Sequence, residues 1–268
     1  MNILCIDLGN TNVHYGIVDK KEVSHPGSFS TKQFKDAPHF LTEFHHLLRE
    51  GNFEAISFCS VVPDLNSAIT TLLKALNKPI FQLSYTSNKG IKLSYPKPSE
   101  VGQDRIANAI AARAYYSVPA IIIDMGTAIT FDIVTDQGYE GGVIAPGLRL
   151  MTQYLNEQTA LLPELSATDL ITPTEGFGTS TVQAMQLGMS IGFSGMVEAL
   201  LKHISNALVA KGYDAPIVLT TGGSIANLTQ NWKNKTEFVE YLTLLGLAVA
   251  YDCSTKERCS LKNSNCEI

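Results

Sequence analysis

Two apolar runs of this chain, Ile3 to Ile6 and Ala120 to Ile123, are each followed by a short polar turn and a second apolar run. The second runs extend from Val13 to Val18 and from Ile129 to Val134. A strand-length run, a tight polar turn and another such run are typical of a β-hairpin. The sequence therefore predicts the same hairpin twice.

The turn of each predicted hairpin has a composition suited to phosphate binding. Asp7 and Gly9 of the first copy lie 117 residues before Asp124 and Gly126 of the second. Glycine permits backbone conformations in which several N–H groups converge on one anion. Additional side-chain donors are Asn10, Thr11 and Thr127. Because a carboxylate beside a triphosphate needs a cation between them, we expect Mg²⁺ or another cation at the aspartates, unless these are ordinary Asp-Gly turns.

Hydrophobic periodicity in the rest of the chain predicts alternating strands and helices. We expect strands over 54–62, 79–84, 139–144 and 217–221, and helices over 37–50, 64–76, 105–116, 147–159 and 179–211. Residues 85–101 are expected to form an irregular connection. Strands separated by helices indicate an α/β fold. We predict two related halves, 1–117 and 118–251, and a polar, frayed tail at 252–268.

Composition narrows the class of protein. The 268 residues are 45% hydrophobic and 17% charged, with a net charge of −5, which is typical of a soluble globular protein. The acidic balance argues against a nucleic-acid partner, and no wholly apolar run reaches the roughly 18 residues of a membrane span. Because no signal-peptide pattern is present, we expect a cytoplasmic protein with no membrane partner. Cys5 and Cys59 are expected to be buried, whereas the other three cysteines lie in the polar tail.

The segment Gly102-Gln103-Asp104-Arg105 places an acid and a base at the start of a predicted helix. Asp104 can serve simply as the helix N-cap. It can also accept the proton of an attacking hydroxyl in phosphoryl transfer, with Arg105 holding a substrate carboxylate or the transferred phosphate. Both interpretations are open at this point.

Three further segments are candidate ligand contacts, and each also has a structural interpretation. Residues 141–147 end a strand and begin a helix, which suits an anion or only a turn. Thr179 or Ser180 is a substrate contact or only the cap of the longest helix. Residues 221–224 give a backbone room to approach a base or ribose. One face of the longest helix carries small residues that indicate contact with a neighbouring helix or another subunit; they are Gly188, Gly192 and Gly195.

Six segments occur in an order that resembles one family. They are Asp7-Leu8-Gly9-Asn10-Thr11-Asn12, Ser60-Val61-Val62-Pro63, Gly102-Gln103-Asp104-Arg105, Asp124-Met125-Gly126-Thr127-Ala128, Ala145-Pro146-Gly147 and Thr221-Gly222-Gly223. Over about residues 1–250 the chain closely resembles type III pantothenate kinases. The resemblance implies a duplicated actin-like (ribonuclease H-like) fold, related to sugar kinases, with two halves around a nucleotide cleft. It also implies a homodimer that phosphorylates pantothenate with ATP in the first step of coenzyme A biosynthesis.

The resemblance also implies roles for individual residues. The ATP phosphates are bound by Asp7, Leu8, Gly9, Asn10, Thr11, Asn12, Val13 and His14, and Thr127 touches ATP. Pantothenate is bound by Tyr95, Gly102, Gln103, Asp104, Arg105 and Thr179, with Asp104 as the general base. The implied cofactors are Mg²⁺, held indirectly near Asp7, and K⁺ or NH₄⁺ at Asp124. For His14 we expect only the backbone to matter.

Two alternatives stay open from the sequence. The protein could phosphorylate another small hydroxylated acid, because a fold does not determine a substrate. It could also be a catalytically silent regulatory relative. The acidic balance and the presence of every expected catalytic side chain argue against the second alternative.

Overall fold

The computed structural model describes residues 1–36, 44, 48–49, 51–166, 169–170, 176–223 and 235–263, with side chains up to residue 256. Most of the predicted helix over 37–50 lies outside the described residues, as does Ser224. The strands and helices given below are those of the described residues.

The first sheet confirms the first predicted hairpin. Its strands are β1 (Ile3–Leu8), β2 (Asn12–Asp19), β3 (Glu22–Ser30), β4 (Ala55–Ser60) and β5 (Ile80–Gln82), in the order β3-β2-β1-β4-β5. The hairpin pair β1–β2 is antiparallel, whereas β1, β4 and β5 run parallel. Strand β1 is buried almost throughout, as expected for the centre of a sheet covered on both faces.

The second sheet repeats this arrangement. Its strands are β6 (Ala120–Met125), β7 (Ala128–Thr135), β8 (Gly138–Pro146), β9 (Ile217–Thr221) and β10 (Glu237–Phe238), in the order β10-β9-β6-β7-β8. Read from the opposite edge, the order of the second sheet is β8-β7-β6-β9-β10. Both sheets therefore place the third, second, first, fourth and fifth strands of their copy side by side. The matching order confirms the predicted α/β fold with a duplicated hairpin.

Among the described residues, the structure gives the bounds of six helices, and the second to the fifth of these agree with predicted helices to within a few residues. They are α1 (Thr31–Asp36), α2 (Asn66–Lys74), α3 (Gln103–Tyr115), α4 (Leu148–Glu157), α5 (Thr181–Ala210) and α6 (Leu242–Asn263). Helix α3 is buried from Ile106 to Ala112, and α6 packs against both this helix and the first sheet. The would-be Cβ of Gly246 would collide with the Ala107 carbonyl oxygen, so only glycine allows this helix pair to pack so closely.

Four observed elements have no counterpart among the predicted strands and helices; they are α1, β3, β10 and α6. Strand β3 was not predicted, because Pro26 and Gly27 interrupt its apolar pattern, and it pairs with β2 across an irregular register. Of the tail expected to fray at 252–268, residues 252–263 continue helix α6, and the remainder lies outside the described residues. The buried first turns of α6 nucleate the helix, and each following residue then gains one hydrogen bond for fixing only its own backbone.

Two compact units make up the chain, and each has its own core. Unit 1 contains residues 1–117, 134–141 and 241–268, and its core is formed by β1, β4 and α2 with Phe34, Phe44 and Phe53. Unit 2 contains residues 118–133 and 142–240, and its core packs β6 and β7 against α4 and α5. The three-part division of the sequence at residues 117 and 251 stays a prediction.

Helix α5 is long and apolar enough to meet a length-and-composition criterion for a membrane span, with a mean hydropathy of 1.2. This differs from the expectation that no segment reaches that length, since small and weakly polar residues join its apolar runs. A core helix meets the same criterion. One side of α5 packs in the unit 2 core through Met185, Phe193, Val197, Leu201 and Ile204. The criterion is therefore weak grounds for a membrane helix.

Candidate active site

Asp7 lies near the carboxyl end of β1, where ligands commonly bind parallel sheets. In the strand register it faces His14 on β2 and Cys59 on β4. The Cys59 thiol donates a hydrogen bond to Asp7 Oδ1 at 3.3 Å. Burial raises the pKa of Cys59 well above 9.0, and the charges of Asp7 and Asp104 raise it further. Cys59 is therefore a protonated donor rather than a nucleophile, and the two carboxylates lie close enough to it to act on the same sulfur.

Asp104 occupies the second position of α3. The helix N-cap is Gly102, so the capping interpretation of Asp104 is wrong. Asp104 Oδ1 accepts a hydrogen bond from the backbone N–H of Arg105 at 2.9 Å. Burial raises the pKa of Asp104 above its ordinary value of 3.8, against the opposing effects of that hydrogen bond and the Arg105 charge. A raised pKa makes the carboxylate a better proton acceptor than an exposed aspartate.

The neighbours of Asp104 in its motif set its position. A methyl group on Gly102 would collide with Asp104 Oδ1, so glycine leaves room for the carboxylate. Gln103 Oε1 accepts a hydrogen bond from the Ser60 N–H at 3.1 Å, which joins the start of α3 to the end of β4. The structure thus brings the Asp7, Ser60 and Asp104 segments of the sequence together within unit 1.

Arg105 and Tyr95 meet at a third residue that the sequence did not reveal. The Arg105 guanidinium lies 5.9 Å from the centre of the Tyr139 ring, and the Tyr95 ring lies 6.3 Å from it. Tyr139 also exchanges backbone hydrogen bonds with the segment before Tyr95, accepting from Ser94 N–H and donating to Lys92 O at 2.9 Å each. Tyr139 is fully buried and anchors the irregular segment that carries Tyr95.

The loop between β1 and β2 contains the remaining predicted phosphate-binding residues. The Gly9 N–H donates to Asn12 O at 3.0 Å, which closes the turn. Leu8 and Val13 face each other in the buried part of the hairpin, whereas the Asn10, Asn12 and His14 residues are exposed. Thr31 makes two hydrogen bonds to this loop. Its N–H donates to Thr11 O at 2.9 Å, and its hydroxyl donates to Gly9 O at 2.7 Å.

The second hairpin has the same plan with different neighbours. Asp124 faces Thr221 in the register of β6 and β9. The Gly126 N–H closes the turn on Ala128 O at 3.1 Å, and Thr127 is exposed. Gly147 N–H donates to Thr127 O at 3.0 Å, and a methyl group on Gly147 would collide with the Gly126 and Thr127 carbonyl oxygens.

Two glycine segments thus have a packing role that the sequence did not reveal. Gly147 is the N-cap of α4, where it makes no side-chain hydrogen bond. Glycine is needed there because a side chain would collide with the turn between β6 and β7. Gly222 has a φ of 95°, and a methyl group there would lie 2.7 Å from Met125 O. Both residues seat the Asp124 turn in unit 2.

Thr179 precedes α5 and is exposed. Ser180 is the N-cap of α5 and accepts from Gln183 N–H at 3.2 Å. Thr179 donates from its backbone and its hydroxyl to Gln183 Oε1, at 2.9 and 2.8 Å. Its hydroxyl oxygen keeps its acceptor capacity toward a ligand.

The side chains near Asp7 and Asp124 supply only some of the ligands that a bound cation needs. Among the described residues, no group of three or more His, Cys, Asp or Glu residues lies together as a metal site. Mg²⁺ in nucleotide sites is commonly held by one or two carboxylates, water and phosphate oxygens. Single carboxylates such as Asp7 and Asp124 fit that pattern, but not a site built from protein ligands alone.

Comparison with known proteins agrees with the sequence motifs. The profile of the type III pantothenate kinase family matches residues 3–203. The chain is 36% identical over 251 residues to a type III pantothenate kinase from Akkermansia muciniphila, covering 93% of this chain and 98% of that protein. It is 35% identical over 257 residues to one from Dehalococcoides mccartyi, covering 93% and 95%.

A solved structure supports the fold. The ROK hexokinase from Thermus thermophilus superposes with a TM-score of 0.53 at 15% identity, over 96% of this chain and 100% of that one. Identity at this level shows likeness of fold alone, and it confirms the expected sugar-kinase-like architecture. The family profile and the two relatives extend that likeness to sequence, and the chain is an enzyme of the type III pantothenate kinase family.

Proposed function

We propose that this protein transfers the γ-phosphoryl group of ATP to the hydroxyl of pantothenate, with Asp104 as the general base. Family membership supports the reaction. The observation that carries the assignment of the base is the position of the partly buried Asp104 carboxylate at the start of α3, which the Gln103–Ser60 hydrogen bond joins to the end of β4. Burial raises the pKa of this carboxyl group.

Asp104 acts late in the transfer. An alcohol is a far weaker acid than a carboxylic acid, so Asp104 orients the hydroxyl and accepts its proton as the new P–O bond forms. Gly102 leaves space for this carboxylate, and Gln103 fixes the helix that carries it. Arg105, packed over Tyr139, stabilises charge on the transferred phosphoryl group or holds the pantothenate carboxylate. Tyr95 and Thr179 complete the substrate contacts.

ATP binding is assigned to the two turns. The loop from Asp7 to His14 presents backbone donors to the phosphates, and Thr127 contacts the nucleotide. Asp7 is the candidate residue near Mg²⁺, and Asp124 is the candidate for K⁺ or NH₄⁺. When bound, such cations neutralise charge on the phosphates. The protein's own contribution is to fix the orientation of the carboxylates, through Cys59 in the case of Asp7.

A homodimer is proposed on the open face of α5. A methyl group at Gly188, Gly192 or Gly195 would meet nothing within 4 Å in the described part of the chain, and Ile191 on this helix is 60% exposed. This favours the subunit-contact interpretation of these glycines over packing against a helix of the same chain. A cytoplasmic protein without nucleic-acid or membrane partners fits this assignment and the net charge of −5.

The experiment is a pantothenate phosphorylation assay with ATP, Mg²⁺ and K⁺, comparing the wild type with Asp104→Asn. We expect kcat to fall by about 10²-fold or more in the variant, the usual contribution of a positioned base. Asp214→Asn, an exposed aspartate in unit 2, is the matched control and should retain wild-type kcat.

The outcomes separate the alternatives. Near-normal turnover of Asp104→Asn would remove Asp104 from the role of base. If the wild type binds ATP but does not phosphorylate pantothenate, a panel of other hydroxylated acids tests the alternative acceptor. Failure with every acceptor would favour the silent relative, for which salt-sensitive retention on DNA is the further test.

A further inference from the structure

The residue immediately after β3, Thr31, is 2% exposed and lies under the first turn. Its two hydrogen bonds end on carbonyl oxygens of that turn: N–H to Thr11 O at 2.9 Å, and Oγ1–H to Gly9 O at 2.7 Å. Both acceptors belong to the loop assigned above to the ATP phosphates. Thr31 itself belongs to none of the motifs found in the sequence.

The contact to Gly9 O determines the direction of an amide group. The peptide bond between Gly9 and Asn10 is trans, so its C=O and N–H point in opposite directions. Since the C=O points at the Thr31 hydroxyl, the Asn10 N–H points away from Thr31. The Gly9 N–H is already used in closing the turn on Asn12 O. The Asn10 N–H is therefore a donor whose direction depends on the Thr31 side chain.

The second copy shows that the hydroxyl contact is particular to the first. Gly147 also follows the third strand of its copy, and its N–H donates to Thr127 O at 3.0 Å, as Thr31 N–H does to Thr11 O. Gly147 has no hydroxyl, and its Cα side is filled by the Gly126 and Thr127 carbonyl oxygens. The turn of the first copy has three residues between its strands, against two in the second. The extra peptide has the Thr31 hydroxyl as its partner.

We propose that Thr31 is a positioning residue for the ATP-phosphate loop, which orients the Asn10 N–H toward the nucleotide through the hydrogen bond to Gly9 O. This inference rests on the proposed function of the loop. It predicts that the hydroxyl, rather than the bulk of the side chain, controls ATP affinity.

The test measures ATP-analogue binding without pantothenate, followed by KM for each substrate. Thr31→Val keeps the shape and loses the donor, and we expect the analogue Kd and the KM for ATP to rise about tenfold or more, because small misplacement of a binding group is costly. The KM for pantothenate should stay unchanged. Thr31→Ser keeps the donor and should restore binding, whereas Thr31→Ala should not; this pair serves if the valine variant folds poorly.

Thr152→Val is the matched control. Thr152 is also 2% exposed, and its hydroxyl donates to Arg149 O at 2.9 Å inside α4. We expect a similar loss of thermal stability with an unchanged KM for ATP. Equal ATP binding by Thr31→Val and the wild type would overturn the positioning role while leaving pantothenate phosphorylation intact. A further outcome is that the wild type binds ATP without phosphorylating pantothenate. If Thr31→Val then binds the analogue more weakly than the wild type does, pantothenate is not the acceptor, but the role of Thr31 is supported.

Discussion

The two hairpins have the same strands in the same order, yet their turns are held by different groups. The first turn lies on the Thr31 hydroxyl, whereas the second lies directly on Gly147, where a side chain would collide with it. On the neighbouring parallel strand, Asp7 faces Cys59, whereas Asp124 faces Thr221. The duplication therefore preserves the backbone frame and leaves the strand ends to diverge.

A third difference concerns the helix after the fifth strand of each copy. In the first copy this helix, α3, has Asp104 at its second position. In the second copy it is α6, whose second residue, Thr243, donates to Asn108 Oδ1 at 2.8 Å. One copy thus has a titratable carboxylate where the other has a hydroxyl that hydrogen-bonds to a neighbouring helix. This asymmetry supports the proposal that Asp104, in the first copy, accepts the proton.

The largest expected effect separates the two aspartates. We expect Asp7→Asn to lower kcat by about 10²-fold, the size typical of removing one group that stabilises charge in the transition state. Asp124→Asn should lower turnover less and remove the difference between K⁺ and Na⁺, because the proposed monovalent site loses its carboxylate. Kinetics of both variants in the two salts is the measurement.

Equal losses in the two variants, with the same response to K⁺, would contradict this division of roles. A wild type that turns over equally in K⁺ and Na⁺ would argue against any dedicated monovalent site. Circular dichroism of each variant is the control, since Asp→Asn preserves side-chain shape.

The next effect distinguishes the two turn glycines. A methyl group at Gly9 would lie 2.8 Å from the backbone oxygen of Asn12, but one at Gly126 would have its nearest neighbour, Ala128 O, at 3.5 Å. We expect Gly9→Ala to lower the free energy of unfolding by about 1–3 kcal/mol, as overpacking usually does. Gly126→Ala should be neutral or slightly stabilising, since alanine restricts the unfolded chain. Urea unfolding of the two variants decides this, and a larger loss in Gly126→Ala would show that the turns differ in another way.

Local sequence signals predicted the frame of both copies. The apolar runs around Gly9 and Gly126, and the periodicity of α3 and α5, depend on neighbours within a few residues. Strand β3 was missed because Pro26 and Gly27 mask its alternation. Residues 252–263 of α6 were expected to fray because they are polar, although they continue a helix with a buried beginning.

The contacts that shape the site could not be predicted in the same way. Cys59 was interpreted as a small buried hydrophobe, and its bond to Asp7 joins residues 52 positions apart. Gln103 was assigned to substrate, but its carbonyl oxygen binds Ser60 across 43 positions. Tyr139 and Thr31 were not singled out at all. Such pairs depend on strand order, which the sequence pattern of one element does not contain.

A smaller effect concerns the pH dependence of Asp104. The folded protein holds the Asp104 proton to a higher pH than the unfolded chain, because its pKa is raised above 3.8. At pH values between the pKa of Asp104 in the unfolded chain and its higher pKa in the folded protein, the folded state binds more protons. The contribution of Asp104 to the free energy of unfolding therefore falls as the pH rises through this range. We expect Asp104→Asn to lack this decrease and to gain stability relative to wild type from acid to neutral pH. Parallel unfolding curves across that range would contradict the raised pKa.

The smallest expected effect tests the partner of Asp7. Cys59→Ala removes the thiol donor, and Cys59→Ser replaces it with a hydroxyl donor. A hydrogen bond contributes about 0.5–1.5 kcal/mol net, so we expect a fall in kcat of about tenfold at most for Cys59→Ala and a partial recovery for Cys59→Ser. Because the Cys59 thiol stays protonated well above pH 9.0, neither variant should change the alkaline side of the pH–rate profile. If serine and alanine lower kcat equally, the sulfur acts through packing in β4, and the orientation of Asp7 is set by the strand alone.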